Sequence, residues 1–94
     1  MNQSDVYMAT VCWDDYVNDE GVCHENTAGE QMIVRHSIDD LLEGVEEYLE
    51  LFKGRDAYLE CASMETYEEY NVEKWKDITE SVKIILKAKE NNGK

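Results

Sequence analysis

Residues 37–54, Ser-Ile-Asp-Asp-Leu-Leu-Glu-Gly-Val-Glu-Glu-Tyr-Leu-Glu-Leu-Phe-Lys-Gly, sort their side chains by chemistry around a helix axis. Stepping ~100° per residue gathers Ile38, Leu41, Leu42, Val45, Leu49 and Phe52 into an arc of roughly 100°, the apolar stripe of a helix that lies on a core. Asp39, Asp40, Glu43, Glu46, Glu47 and Glu50 fill an arc of roughly 120° on the other side, with no base among them. A stripe of that kind has to be covered, so the rest of the chain must supply a layer for it. The ends are marked as well. Ser37 followed by Asp40 resembles a capping box, Asp39 and Asp40 suit the positive end of the helix dipole, and Gly54 is expected at the left-handed position after the last turn.

The covering layer is expected to be a sheet. From Val6 to Tyr16 the chain is rich in β-branched and aromatic residues, and Tyr7, Ala9, Val11 and Trp13 alternate with Met8, Thr10 and Cys12, which predicts a strand apolar on both faces. Asn18–Gly21 and Glu25–Gly29 carry turn chemistry and predict a long hairpin connection. Gln31 to His36 reads as a second strand, with Met32 and Val34 on one face and Ile33 and Arg35 on the other. After the helix, Asp56 to Ala62 predicts a third strand in which Ala57, Leu59 and Cys61 share a face, and residues 63–70 predict a loop or helical turn. From Asn71 as N-cap, Trp75, Ile78, Val82, Ile85 and Leu86 trace the stripe of a second helix reaching about Lys89, after which the tail 91–94 should fray. The expected fold is a single α+β domain over residues 1–94. It has two layers and the order β-β-α-β-α: a small, mainly antiparallel three-stranded sheet with both helices on one face.

Charge narrows the function. The chain has a formal net charge of −13, and the acids are concentrated before residue 74, with most lysines after it. Such a field repels nucleic acid and anionic membrane and attracts basic proteins, so direct binding to either polyanion is not expected. At 43 % apolar with regular periodicity, the chain is nevertheless predicted to fold. No apolar run is long enough for a membrane span and residues 1–5 lack the features of a signal peptide, so the expected location is the cytoplasm. Three cysteines, Cys12, Cys23 and Cys61, with no paired spacing, fit free thiols in a reducing compartment.

Sites for chemistry are sparse. Cys12, Cys23, His24, His36 and Cys61 are the available zinc ligands, but adjacent Cys23-His24 is a poor chelating pair, and Cys12 and Cys61 are expected as small strand residues in the core. In the 16–27 loop, Gly21 at the calcium-loop glycine puts Tyr16 and Thr27 where carboxylates are required. A cysteine nucleophile with a histidine has no orienting acid or oxyanion donors specified around it. No catalytic, cofactor or metal residues are therefore assigned.

The acidic helix face remains. Carboxylates four residues apart repeat every ~6 Å along a helix, a spacing that approximates a line of nucleic-acid phosphates. No lysine is interleaved to relieve their repulsion, whereas an ordinary solvated helix alternates signs. In size, charge and general plan the chain resembles the small acidic phage and mobile-element proteins that inhibit host nucleic-acid-binding machinery, the anti-CRISPR and antirestriction proteins among them. That resemblance implies a non-enzymatic inhibitor acting in the host-cell cytoplasm by nucleic-acid mimicry. The expected contact residues are Asp39, Asp40, Glu43, Glu46, Glu47 and Glu50, with Asp14, Asp15, Tyr16, Asp19 and Glu20 beside them, and the expected partner is a basic, nucleic-acid-binding protein. The alternative is a small domain that self-associates, as a homodimer for example, through Tyr48 and Leu51 or through Tyr67 and Tyr70. A thiol- or metal-dependent enzyme is the third reading.

Overall fold

Strand β1 (Gln3–Trp13) is the centre of the structure, a computed structural model that describes residues 3–68 and 71–92. It is followed by a small ribbon of β2 (Tyr16–Val17) and β3 (Cys23–His24), then β4 (Gly29–Arg35), helix α1 (Ile38–Leu51), a 3-10 turn (Lys53–Arg55), β5 (Tyr58–Glu68), β6 (Asn71–Asp77) and helix α2 (Thr79–Asn92). The main sheet has the order β4-β1-β5-β6 and is antiparallel throughout, and β2-β3 form a separate antiparallel pair.

One face of the sheet is covered. Ala9 and Val11 of β1 stand beside Ile33 of β4 and Leu59 and Ala62 of β5, and Leu41, Leu42 and Val45 of α1 and Val82 of α2 close over them as one core. Tyr7, Trp13, Ile38, Leu49, Ile78 and Leu86 pack at its margin. The two-layer α+β plan with both helices on one side is thus as expected, and its cause is that the buried residues of β1, β4 and β5 all lie on one face of the sheet.

The strand count is not as expected: the main sheet has four strands, not three, and the hairpin connection carries a ribbon of its own. Residues 63–68 continue β5 instead of turning, and Tyr70 lies outside the described residues. Residues 71–77 pair with β5 as β6 and are not helical. Their helical spacing was real but weaker than the alternative. An eleven-residue β5 paired with β1 on one side has a row of backbone groups on the other, and β6 satisfies them. The switch to helix is local. Thr79 Oγ1 accepts from Ala62 N (2.9 Å) and donates to Asp77 Oδ1 (2.6 Å), while Ile78 N donates to Ala62 O (2.9 Å), so α2 starts tied to β5. Its inward side is Val82, fully buried, with Leu86 and the preceding Ile78 partly buried, whereas Ile85 and Trp75, placed on the stripe by periodicity, are exposed.

A β-bulge overturns one face assignment. Thr10 pairs with Cys61 but Val11 pairs with Leu59, which leaves Glu60 as an extra residue. Leu59 and Ala62 are therefore the buried pair, and Cys61 is exposed instead of sharing the face of Leu59. Helix α1 ends differently as well. Phe52 is its C-cap, and Asp56, not Gly54, takes the left-handed conformation (φ 55°).

Candidate functional site

Ser37 caps helix α1, with Asp40 N donating to Ser37 Oγ (3.1 Å) and Leu41 N to Ser37 O (3.0 Å), which is one half of the expected capping box; a return bond from Ser37 N to the Asp40 carboxylate is not formed among the described residues. With Leu41, Leu42 and Val45 buried, geometry turns Asp39, Asp40, Glu43, Glu47 and Glu50 to solvent, and Glu46 is half-buried. Gly44 lets the helix lie close to β4, since a Cβ there would stand 2.9 Å from Ile33 Cγ2 and 3.3 Å from an Arg35 guanidinium nitrogen. Arg35, Asp40, Glu43, Gly44 and Glu47 line an open notch of about 250 Å³.

The row is not free of bases in three dimensions. Lys89, fifty residues beyond the start of the row, reaches back from α2 to Glu46 Oε1 at 2.6 Å, and that enclosed oxygen has the ammonium as its partner. Hydrogen bonding to Glu46 holds the Lys89 pKa above its ordinary value against some loss of hydration, and the charges of Glu46, Asp39 and Glu43 add to it. Lys53 pairs with Glu50 at 2.6 Å. Both pairs are exposed enough to contribute little to stability. Asp39, Asp40, Glu43 and Glu47 form no ion pair among the described residues, and they are the part of the row available to an incoming cation.

The ribbon residues divide in the same way. Asp15 Oδ1 accepts from Thr27 N (3.0 Å) and Ala28 N (2.7 Å), so this carboxylate holds the loop together. Asp14, Asp19 and Glu20 are exposed. Tyr16 is 41 % exposed and lies under the Arg55 guanidinium, 5.2 Å from its ring centroid. The ribbon is joined to α1 at the helix end, where Trp13 stacks on Phe52 at 3.8 Å and Arg55 also stands over Phe52 at 5.8 Å. These contacts lie beyond Glu50 and not along the acidic row.

The chain matches no family model, no curated protein and no solved structure.

One cluster escaped the sequence. The register places Cys12 opposite Glu30, and the bulge turns Glu60 to the same side, so that the ligand atoms of all three lie within 4.8 Å of one another. These residues, with Cys12 ionised, are the described set that could hold a metal, and they share only Cys12 with the set suggested by sequence. Cys12 Sγ donates to Glu60 Oε2 at 3.0 Å. That bond, then burial, then the charges of Glu60 and Glu30 push the thiol pKa up to about 11. Cys23 and Cys61 are exposed. At pH 8 Cys12 is expected to alkylate at least tenfold more slowly than either, because the thiolate is the nucleophile. Mass spectrometry of the labelled native protein reads this directly, and equal rates at all three cysteines would contradict the Cys12–Glu60 bond.

Proposed function

We propose that the protein is a non-enzymatic binding module of the nucleic-acid-mimicking kind, which sets α1 against a basic surface of a partner that otherwise holds DNA or RNA. The observation that carries this reading is the exposure of Asp39, Asp40, Glu43 and Glu47, without cation partners among the described residues, on a helix fixed by its buried stripe. With the helix backbone already fixed on the sheet, only the side-chain rotamers remain to be ordered on binding, and the row of like charges steers a basic partner toward it. Asp14, Tyr16, Asp19 and Glu20 extend the contact at the ribbon, and Asp15, Glu46 and Glu50 drop out as primary contacts because they already have partners. In this reading the chain acts as do the phage and mobile-element inhibitors it resembles, in the cytoplasm of the host cell.

Capture of partners at low and high salt, followed by competition with nucleic acid, tests the reading. Glu43→Gln with Glu47→Gln is expected to leave folding intact and to weaken partner binding about tenfold, mainly through slower association, with a shallower salt dependence. Glu46→Gln with Glu50→Gln is expected to do less. A partner whose affinity is indifferent to Glu43 and Glu47 in a folded variant overturns the proposal.

Self-association is the second reading, and the 67 % exposure of Leu51 favours it. Tyr48 is packed at the core margin, and Tyr67 donates its hydroxyl to Glu65, so neither offers a free apolar face. Sedimentation across a range of concentrations separates the two readings.

A further inference from the structure

The side of the main sheet turned away from the helices is covered by neither of them. In the four-strand register, Val34 stands beside Met8 and Ser63, Met32 beside Thr10 and Cys61, and Val6 beside Glu65 and Trp75. An antiparallel sheet with one covered face ordinarily alternates to polar residues on the other. Here the alternation gives Val6, Met8, Met32, Val34 and Trp75, with Met32 59 % and Trp75 61 % exposed. Met8, Met32 and Val34 adjoin one another across β1 and β4, Trp75 stands apart on β6 beyond Glu65, and exposed apolar side chains gathered on one uncovered face mark an interaction surface. The charged side chains on that face among the described residues are all acidic: Glu30 and Glu60 beside Cys12 at one end, Asp77 on the edge strand β6, and Glu65 between Val6 and Trp75.

We propose that this bare sheet face is a second docking surface, and that it takes a cationic amphipathic helix: an apolar stripe laid across the strands, flanked by lysine or arginine. Two features select this occupant. The apolar centre calls for an apolar stripe, as in other helix-in-surface recognition. The acid-only rim calls for basic flanks and opposes a second copy of the same face, whose carboxylates would meet these. The surface lies on the opposite side of the two-layer slab from α1, so it goes beyond the reading of the acidic helix and does not depend on it.

The two tryptophans provide the readout. Trp13 is stacked on Phe52, whereas Trp75 is open to solvent, so collisional quenching by acrylamide reports mainly on Trp75. The probe is a synthetic 18-residue peptide of leucine and lysine in a helical stripe pattern, set against a scrambled peptide of the same composition and a leucine–glutamate version of the same pattern. At about 0.15 M salt the patterned cationic peptide is expected to shield Trp75 and the other two are not. Met32→Ser, exposed and therefore not expected to disturb folding, should weaken that binding about tenfold, as should Val34→Ser. Glu43→Gln with Glu47→Gln should leave Trp75 shielding unchanged, which keeps this test separate from that of α1. Equal shielding by the scrambled peptide, indifference to Met32→Ser, or a Trp75 already shielded in a dimer of the protein alone would each overturn the proposal.

Discussion

Leu41→Ala is expected to lower the unfolding free energy by about 3–5 kcal/mol, read from the midpoint and slope of urea denaturation. Leu41 is fully buried at the centre of the α1 stripe, where it closes over Ala9, Val11 and Ile33. Removing its three outer carbons forfeits the burial of those atoms and leaves a cavity in a core lined from both layers, with little freedom to collapse. For a domain of this size, with total stability of order 5–15 kcal/mol, that loss brings the folded state near its limit. Leu49→Ala, at the margin of the same stripe and only partly covered, should cost about half as much. A harmless Leu41→Ala would mean that α1 does not dock on the sheet by this side, and the orientation of the acidic row would fall with it.

The second large effect is at Gly44. In an isolated helix alanine is better than glycine by about 1 kcal/mol. Here the added Cβ would meet the Ile33 methyl at 2.9 Å, and Ile33 is fully buried and cannot swing aside. Gly44→Ala is therefore expected to destabilise by a net ~1–2 kcal/mol, and Gly44→Val by about 3 kcal/mol or more. The contact atom is the branch methyl of Ile33, which leucine lacks at that carbon. Ile33→Leu combined with Gly44→Ala should be more stable than the sum of the two single changes, a coupling measurable in a double-mutant cycle. If Gly44→Ala instead stabilises the protein by ~1 kcal/mol, the close approach of α1 to β4 is wrong, and with it the placing of Arg35 in the notch beside Glu43 and Glu47.

Helix α1 was legible because its information is local: a stripe, a cap and a dipole-matched first turn all lie within fifteen residues. Strand β1 and the inward residues of β4 were legible by alternation. What was not legible depends on partners distant in the chain. Residues 71–77 carry a helical pattern that yields to pairing with β5, and no local signal distinguishes the two. The bulge at Glu60 shifts the alternation of β5 by one, which exposed Cys61 and created the cluster of Cys12, Glu30 and Glu60 from three strands. In the acidic row, all six carboxylates were found from spacing. The difference between the four that are open and the two that are paired came from Lys53 in the following turn and from Lys89 on the other helix.

Placing β1 in the middle of the sheet has a consequence for the order of events in folding. Both neighbours of this strand follow it in the chain, and the bond from Thr66 to Asp5 closes a span of 61 positions. Contacts so far apart carry loop-closure cost before they return any stabilisation, so the sheet belongs to the slower range of small domains. On a ribosome adding ~5–20 residues per second, Val6–Trp13 would leave the tunnel with two unpaired backbone edges and apolar side chains on both faces, and would wait seconds for β5. That waiting segment holds no charge of its own, but Asp5 precedes it and acidic residues run through the stretch that follows it, from Asp14 to Glu60. Mutual repulsion between nascent chains can hold such strands apart until their own partner arrives, a service the carboxylates perform before the folded protein has met anything at all.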